Sequence, residues 1–128
     1  MFTLEQTGRG QAAALISGAG MVAGPGGRPV RPGEALEIYL AGLGAVVNPP
    51  QAGAAGPVSP LARTLKLPRI TLGGASAEVL FSGLAPGLAG VYQVNVLVSP
   101  STPSGQQVEL LVEMDGVPSQ PGVFVAVE

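Results

Sequence analysis

The sequence predicts an all-β fold, an antiparallel β-sandwich of about 7–9 strands with little or no helix. Apolar residues recur with a period of two in several short segments, and Gly- and Pro-rich turns separate these segments. Hydrophobic residues make up 46% of the chain but aromatic residues only 4%, so a core of small aliphatic side chains is expected. The 128 residues are enough for one domain, and residues 1–128 are expected to share a single core.

Four strands are predicted in the first two thirds of the chain, at residues 11–16, 36–40, 70–72 and 77–81. The first lies between two glycines and is too short for an independent helix. The third and fourth form a hairpin, since the intervening Gly73 and Gly74 tolerate the positive φ of a two-residue turn. Alternation in the fourth strand predicts Ala77, Val79 and Phe81 on one face.

Three more strands are predicted in the last third, at residues 91–98, 107–114 and 123–127. The first of these is apolar on both faces, as expected of a central strand. Asp115 and Gly116 end the second with a tight hairpin turn. Because Pro118 and Pro121 interrupt the return, the last strand is expected at a sheet edge or at a switch between sheets, where proline removes no central ladder bond.

Residues 44–68 form a long arm within the domain that is rich in proline and glycine. Irregular segments longer than about 12–15 residues are uncommon in compact domains. We expect the arm to cross along the sandwich and to cover a sheet edge, with a short strand inside it. A loop that binds a ligand or a partner is the alternative.

The residue types that most often carry protein chemistry are absent. The chain has no cysteine and no histidine. Without cysteine there is no disulfide, thiolate zinc site or thiol nucleophile, and without histidine a serine nucleophile lacks its usual base. Most of the eight carboxylates are predicted singly at outward strand positions. We therefore expect a protein that is not an enzyme, with no catalytic residues, no metal site and no cofactor.

Charge and hydropathy exclude two classes of partner. Lys66 and the scattered arginines cannot form the basic cluster that nucleic-acid binding requires. Glycine, proline or a charge interrupts every apolar stretch before it reaches the ~20 residues of a membrane span. The first residues lack the basic and apolar regions of a signal peptide, so any export signal is expected to lie outside this chain.

Three residues are candidates for surface contact. Tyr39 lies on the outward face of its predicted strand, whereas Tyr92 shares a face with Val94 and Val96 and is expected in the core. Asn48 and Arg63, both in the arm, complete the set.

Four ordered motifs resemble a known family. They are RPGEALEIYLAGLG at 31–44, ITLGGASAEVLFSG at 70–83, APGLAGVYQVNV at 85–96 and GVPSQPGV at 116–123. Together with FTL at 2–4 and GQAA at 10–13, they resemble an uncharacterised C-terminal domain family of Solibacter-type acidobacteria over nearly the whole chain. The PGE…GLG and TLGGASAEV segments are more loosely similar to IPT/TIG domains, which implies an immunoglobulin-like sandwich. The resemblance implies an exported modular protein and brings no catalytic residues.

The first functional expectation is a non-enzymatic immunoglobulin-like structural or interaction module. It would stand at the C-terminal end of a larger secreted or cell-surface bacterial protein, in contact with other domains of that protein or with neighbouring copies. One alternative is a carbohydrate-binding module attached to a secreted hydrolase, with polysaccharide as partner and Tyr39 as the aromatic contact. Another is a C-terminal sorting or self-assembly domain, whose edge strands pair with neighbouring copies.

Overall fold

The structure is a computed structural model that describes residues 2–4, 9–50, 53–57 and 61–128. Throughout this part of the chain the regular structure is β, which confirms the all-β prediction, and no helix is present in it. Ten strands occur there: β1 (Gly10–Gln11), β2 (Ala14–Ile16), β3 (Met21–Val22), β4 (Ala35–Leu40), β5 (Arg69–Leu72), β6 (Ala75–Leu84), β7 (Tyr92–Leu97), β8 (Gly105–Met114), β9 (Val117–Pro118) and β10 (Val123–Val127). The count exceeds the predicted range because β1, β3 and β9 are pairs of residues too short to predict.

The strands form one mixed sheet in the order β1-β10-β8-β5-β6-β7-β4-β2-β3, with β9 paired to β8. All neighbours are antiparallel except β1 and β10, which run parallel, so the expectation of a purely antiparallel arrangement is wrong at this pair. The predicted central position of β7 is confirmed, because β4 and β6 flank it.

The sheet is strongly curled, and two segments cause the curl. The first part of β6 pairs with β5 and its second part pairs with β7, so β6 belongs to both halves of the sheet. Residues 10–16 connect the two ends, because Gln11 pairs with Phe124 on β10 while Ala14 pairs with Ile38 on β4. The resulting half-barrel encloses a single core of buried residues.

The core consists of small aliphatic side chains, as the composition predicted. The largest fully buried side chains are Ile16, Leu36, Ile38, Ile70, Leu72, Leu110, Val30, Val94, Val96, Val98, Val123 and Val125. In β4 the predicted alternation is confirmed, since Leu36, Ile38 and Leu40 are buried while the residues between them are half-buried. Tyr92 packs against this core, as predicted.

Two predictions about strand geometry are wrong. Val79 pairs with Val96, but a bulge at Leu80 makes Phe81 pair with Asn95, so Phe81 faces away from the core instead of sharing the face of Val79. The last strand, β10, is neither at an edge nor at a switch between sheets, because β1 and β8 flank it within one sheet. The prolines that suggested an edge lie before β10, where Pro118 ends the exposed pair β9.

The arm covers an edge of β6, as expected. Between β4 and β5 the described residues form only isolated bridges, so the short strand predicted inside the arm is absent from them. The N–H of Thr64 donates to the Ser82 carbonyl, and the N–H of Leu84 donates to the Ala62 carbonyl, both at 2.8 Å. A second piece of the arm lies outside the first, with the Val47 N–H donating to the Arg63 carbonyl at 2.8 Å. Within the arm, residues 51–52 and 58–60 lie outside the described residues.

Candidate functional site

Two of the three predicted contact residues lie in one row across the outer surface of the sheet. Tyr39 on β4 pairs with Gln93 on β7. On the other side of β7, Gln93 pairs with Gly83 of β6, which pairs in turn with Arg63 of the arm. Directly opposed residues of antiparallel strands share a face, so these residues form an outer row on the face opposite the core. The row covers three strand spacings, about 14 Å.

Asn48 lies just beyond the outer row. It follows Val47, whose N–H donates to the carbonyl of Arg63, and it is exposed. Its φ of 54° is left-handed, a conformation that asparagine adopts more readily than most residues. The structure therefore brings Arg63 and Asn48 together on adjacent pieces of the arm, and places Tyr39 at the opposite end of the row.

Arg63 covers an aromatic ring that the sequence placed in the core. Its guanidinium carbon lies 5.0 Å from the centroid of the Phe81 ring, within the range of a cation–π interaction. Gly83 makes this arrangement possible, because a Cβ there would collide with the Ala62 carbonyl oxygen and would lie 2.7 Å from Phe81 Cζ. The arm, the ring and Arg63 thus form a closely packed part of the outer surface.

The other end of the outer row carries hydrogen-bonding groups. The Tyr39 hydroxyl donates to Glu37 Oε1 at 3.3 Å. The pKa of Tyr39 is raised, mainly because the side chain is partly buried and also because the Glu37 carboxylate is close to it. The Gln93 side-chain amide donates to Asn95 Oδ1 at 2.8 Å. These groups are suited to contact with a polar partner. Tyr92, by contrast, donates its hydroxyl to the Gly44 carbonyl at 2.6 Å and stabilises the start of the arm.

A second surface lies at the end of the molecule where β4 and β8 finish, and we call Leu43, Leu65, Met114 and Val117 the apolar end. Leu65 is 63% exposed and Val117 is 69% exposed. Leu43 and Met114 line both of two small clefts, of about 210 and 170 Å³. Leu65 borders the first cleft and Val117 the second, while the buried Leu43 and the half-buried Met114 are shared by both clefts.

Sequence reasoning did not find the apolar end. Leu65 lies in the irregular arm and Val117 follows a turn, so neither belongs to an alternating pattern. The available signal was the presence of large apolar residues at positions where loops normally carry polar ones, as in Leu65-Lys66-Leu67. Lys66 itself forms an exposed ion pair with Asp115 of the β8–β9 turn, with Nζ 3.0 Å from Oδ1.

The RPGE motif has a structural role at the other end of the molecule. Residues 31–34 form a turn in which the Glu34 N–H donates to the Arg31 carbonyl at 3.0 Å, and Gly33 takes the positive φ of 91° that this turn requires after a proline. Two hydrogen bonds of 2.7 and 2.8 Å join the Arg28 guanidinium to the Glu34 carboxylate. The Arg28 side chain and the Arg31 N–H lower the pKa of Glu34 to about 2.

No family model, curated protein or solved structure matches this chain. The family resemblance drawn from its motifs therefore stays a prediction. The described residues include no group of three or more side chains of the kinds that bind metals. Over the same residues, no helix has the length and apolar character needed to cross a membrane.

Proposed function

We propose that the chain is a non-enzymatic, immunoglobulin-like interaction module of a larger secreted or cell-surface protein, and that it contacts a neighbouring domain of that protein through its apolar end. The division of the sheet supports the immunoglobulin-like assignment. Because β6 changes partner between β5 and β7, the strands separate into two halves that share one core. Sandwich domains of this type use their ends and faces for contact with partners.

The exposure of the apolar end carries the proposal. Contiguous apolar side chains left in water are typical of interaction sites, whereas single exposed ones are common everywhere. Leu65 and Val117 each expose about two thirds of their surface. Covering these two side chains would contribute about 2–4 kcal/mol from apolar burial, since a complete side chain contributes about 1.5–3 kcal/mol.

The surroundings of the apolar end suit a protein partner. The ion pair of Lys66 and Asp115 lies beside the first cleft and offers one charge of each sign. Protein interfaces commonly combine an apolar centre with a polar, solvent-accessible rim of this kind. Ser119 and Gln120, which border the second cleft, extend the polar rim on the other side.

Oxidative footprinting tests this proposal with an internal control. Met114 belongs to the apolar end, whereas Met21 lies on β3, where it pairs with Ile16 at the far end of β2. In the complete parent protein, hydroxyl-radical oxidation of Met114 and Leu65 is expected to fall relative to this chain alone, while oxidation of Met21 stays the same. Equal oxidation of Met114 in both proteins would contradict the proposal.

A second copy instead of a neighbouring domain is the contact expected of a sorting or self-assembly domain. Light scattering after size exclusion separates the two cases. A monomer at high concentration agrees with contact to another domain. A dimer would contradict contact with another domain if the double variant Leu65→Gln, Val117→Gln is a monomer. The partner of the apolar end would then be a second copy of the chain.

A further inference from the structure

A further cleft lies away from both the outer row and the apolar end. It has a volume of about 440 Å³, within the range of roughly 300–1,000 Å³ typical of small-molecule sites. Its walls come from β1, the segment before β4, the beginning of β8 and β10. The lining residues are Gly10, Gln11, Gly24, Pro25, Pro29, Gln106, Gln107 and Phe124.

The lining combines apolar rings with carboxamides and contains no charged side chain. Phe124 is half-buried, while Pro25 and Pro29 are exposed. Each glutamine amide both donates and accepts hydrogen bonds, as each sugar hydroxyl does. Glu109 pairs with Phe124 on the neighbouring strand, but its carboxylate does not line the cleft. Its Oε2 atom instead accepts a hydrogen bond from the Gly122 backbone nitrogen at 3.5 Å.

One of the three amides is fixed and two are available. Gln11 Nε2 donates to the carbonyls of Ala12 and Ala23, at 3.2 and 2.9 Å. A Cβ on Gly24 would collide with the Gln11 amide, so glycine is required for the amide to lie there. The side chains of Gln106 and Gln107 are exposed and form no hydrogen bond within the described part of the chain.

We propose that this cleft binds a neutral saccharide. Aromatic and proline rings pack against the C–H faces of a sugar ring, while the free amides of Gln106 and Gln107 exchange hydrogen bonds with its hydroxyls. The absence of arginine and lysine from the lining disfavours phosphate and carboxylate ligands, which need a charged partner.

The backbone around the cleft argues against an extended peptide as the ligand. Peptides that add a strand need an edge with unpaired N–H and C=O groups. Here the Gly10 N–H donates to the Gly122 carbonyl, and the Gln11 carbonyl accepts from the Leu4 N–H. β1 therefore offers no free edge at these two groups, and the side chains of the lining are left as the recognition groups.

Titration of this chain with defined ligands tests the proposal. The probes are neutral oligosaccharides of glucose, xylose and mannose, an acidic oligogalacturonate and a proline-rich peptide, followed by amide chemical shifts and calorimetry. At least one neutral oligosaccharide is expected to shift the signals of Gln106, Gln107 and Phe124. Gln106→Ala and Gln107→Ala are each expected to weaken its binding about 2- to 12-fold, the loss of one hydrogen bond. Gln93→Ala, which removes an amide from the outer row, is the matched control and should leave the affinity unchanged.

Several results would overturn the proposal. One is the absence of any shift with every neutral probe at about 10 mM, a concentration at which a millimolar Kd still gives mostly bound protein. Equal binding of the oligogalacturonate, or binding of the peptide alone, would also overturn it. So would a loss of saccharide binding in Gln93→Ala or Tyr39→Ala but not in the cleft variants. Because Gln106 and Gln107 are exposed, their variants are expected to fold. Gln106 and Met114 lie near opposite ends of β8, about 26 Å apart, so this test is independent of the apolar end.

Discussion

Replacing Gly83 by alanine is expected to separate the arm from β6. The added Cβ would collide with the Ala62 carbonyl oxygen and press on the Phe81 ring, and the first of these is a backbone atom that moves only if the arm moves. Three hydrogen bonds depend on this contact: Thr64 N–H to Ser82 O, Leu84 N–H to Ala62 O, and the buried pair of Thr64 and Ser82 hydroxyls at 2.8 Å. At about 0.5–1.5 kcal/mol each, their loss is expected to cost about 1.5–4.5 kcal/mol.

Urea unfolding and hydrogen exchange measure this effect. The free energy of unfolding should fall by the stated amount, with a decrease in Tm on the order of 10 °C. The amides of Thr64 and Leu84 should lose protection while that of Val96 keeps it. Gly105→Ala is the matched control, because a Cβ there meets only Val108 Cγ2 at an ordinary 3.5 Å. A Gly83→Ala variant of unchanged stability, with the Thr64 and Leu84 amides still protected, would refute the reasoning.

Three further outcomes are expected. The pKa of Glu34 is lowered to about 2 from an ordinary 4.5, so the contribution of its carboxylate to stability is complete above pH 4.5 and is lost as the pH falls through 2. In thermal scans, Glu34→Gln should therefore have a lower Tm than the unmodified chain at neutral pH, and the two Tm values should converge near pH 2. Leu36→Ala, at a fully buried position, should lower the free energy of unfolding in urea by about 2–5 kcal/mol. Leu88→Ala, at a position that is 48% exposed, is the control and should have a small effect. Leu65→Gln with Val117→Gln should change the free energy of unfolding by less than about 1 kcal/mol, because both side chains are mainly in water, and a larger loss would show that they pack in the domain.

The parts of the fold that follow from local pattern were predictable. The alternation in β4 and β8 and the hairpin turns at Gly73-Gly74 and Asp115-Gly116 depend on residues close together in the chain. The bulge at Leu80 was not predicted, because Val79, Leu80 and Phe81 are all apolar and their order does not indicate which of them face the core. The bulge shifts Phe81 to the outer face, where the ring meets Arg63 of the arm, which lies 18 positions earlier in the chain. Long-range packing of this kind leaves no periodic signal.

The candidate sites show the same distinction. Tyr39 could be placed on the outward face from alternation alone, and the structure has it there. Its alignment with Arg63 could not be foreseen, since it requires the register of three strand pairs. The cleft beside Phe124 is formed by four segments that are distant in sequence, and the parallel pairing of β1 with β10 brings two of them together. A short parallel pair has no sequence signature, so the cleft had none either.

The distribution of charge explains why recognition by this domain would depend on shape. Of the few charged side chains, six form the pairs Arg28–Glu34, Arg31–Glu128 and Lys66–Asp115 within the described residues, and each pair cancels its own field at a distance. The lining of the cleft is uncharged, and Lys66 and Asp115 are the only charges on the two clefts of the apolar end. Electrostatic steering, which accelerates association of charged partners, is therefore weak here. Affinity has to come from apolar contact and from hydrogen bonds between neutral groups, and both require close fit. Gln106, Gln107 and Val117 lie on paired strands, and the Leu65 N–H donates to the Ala45 carbonyl, so backbone hydrogen bonds position the side chains that such a fit requires.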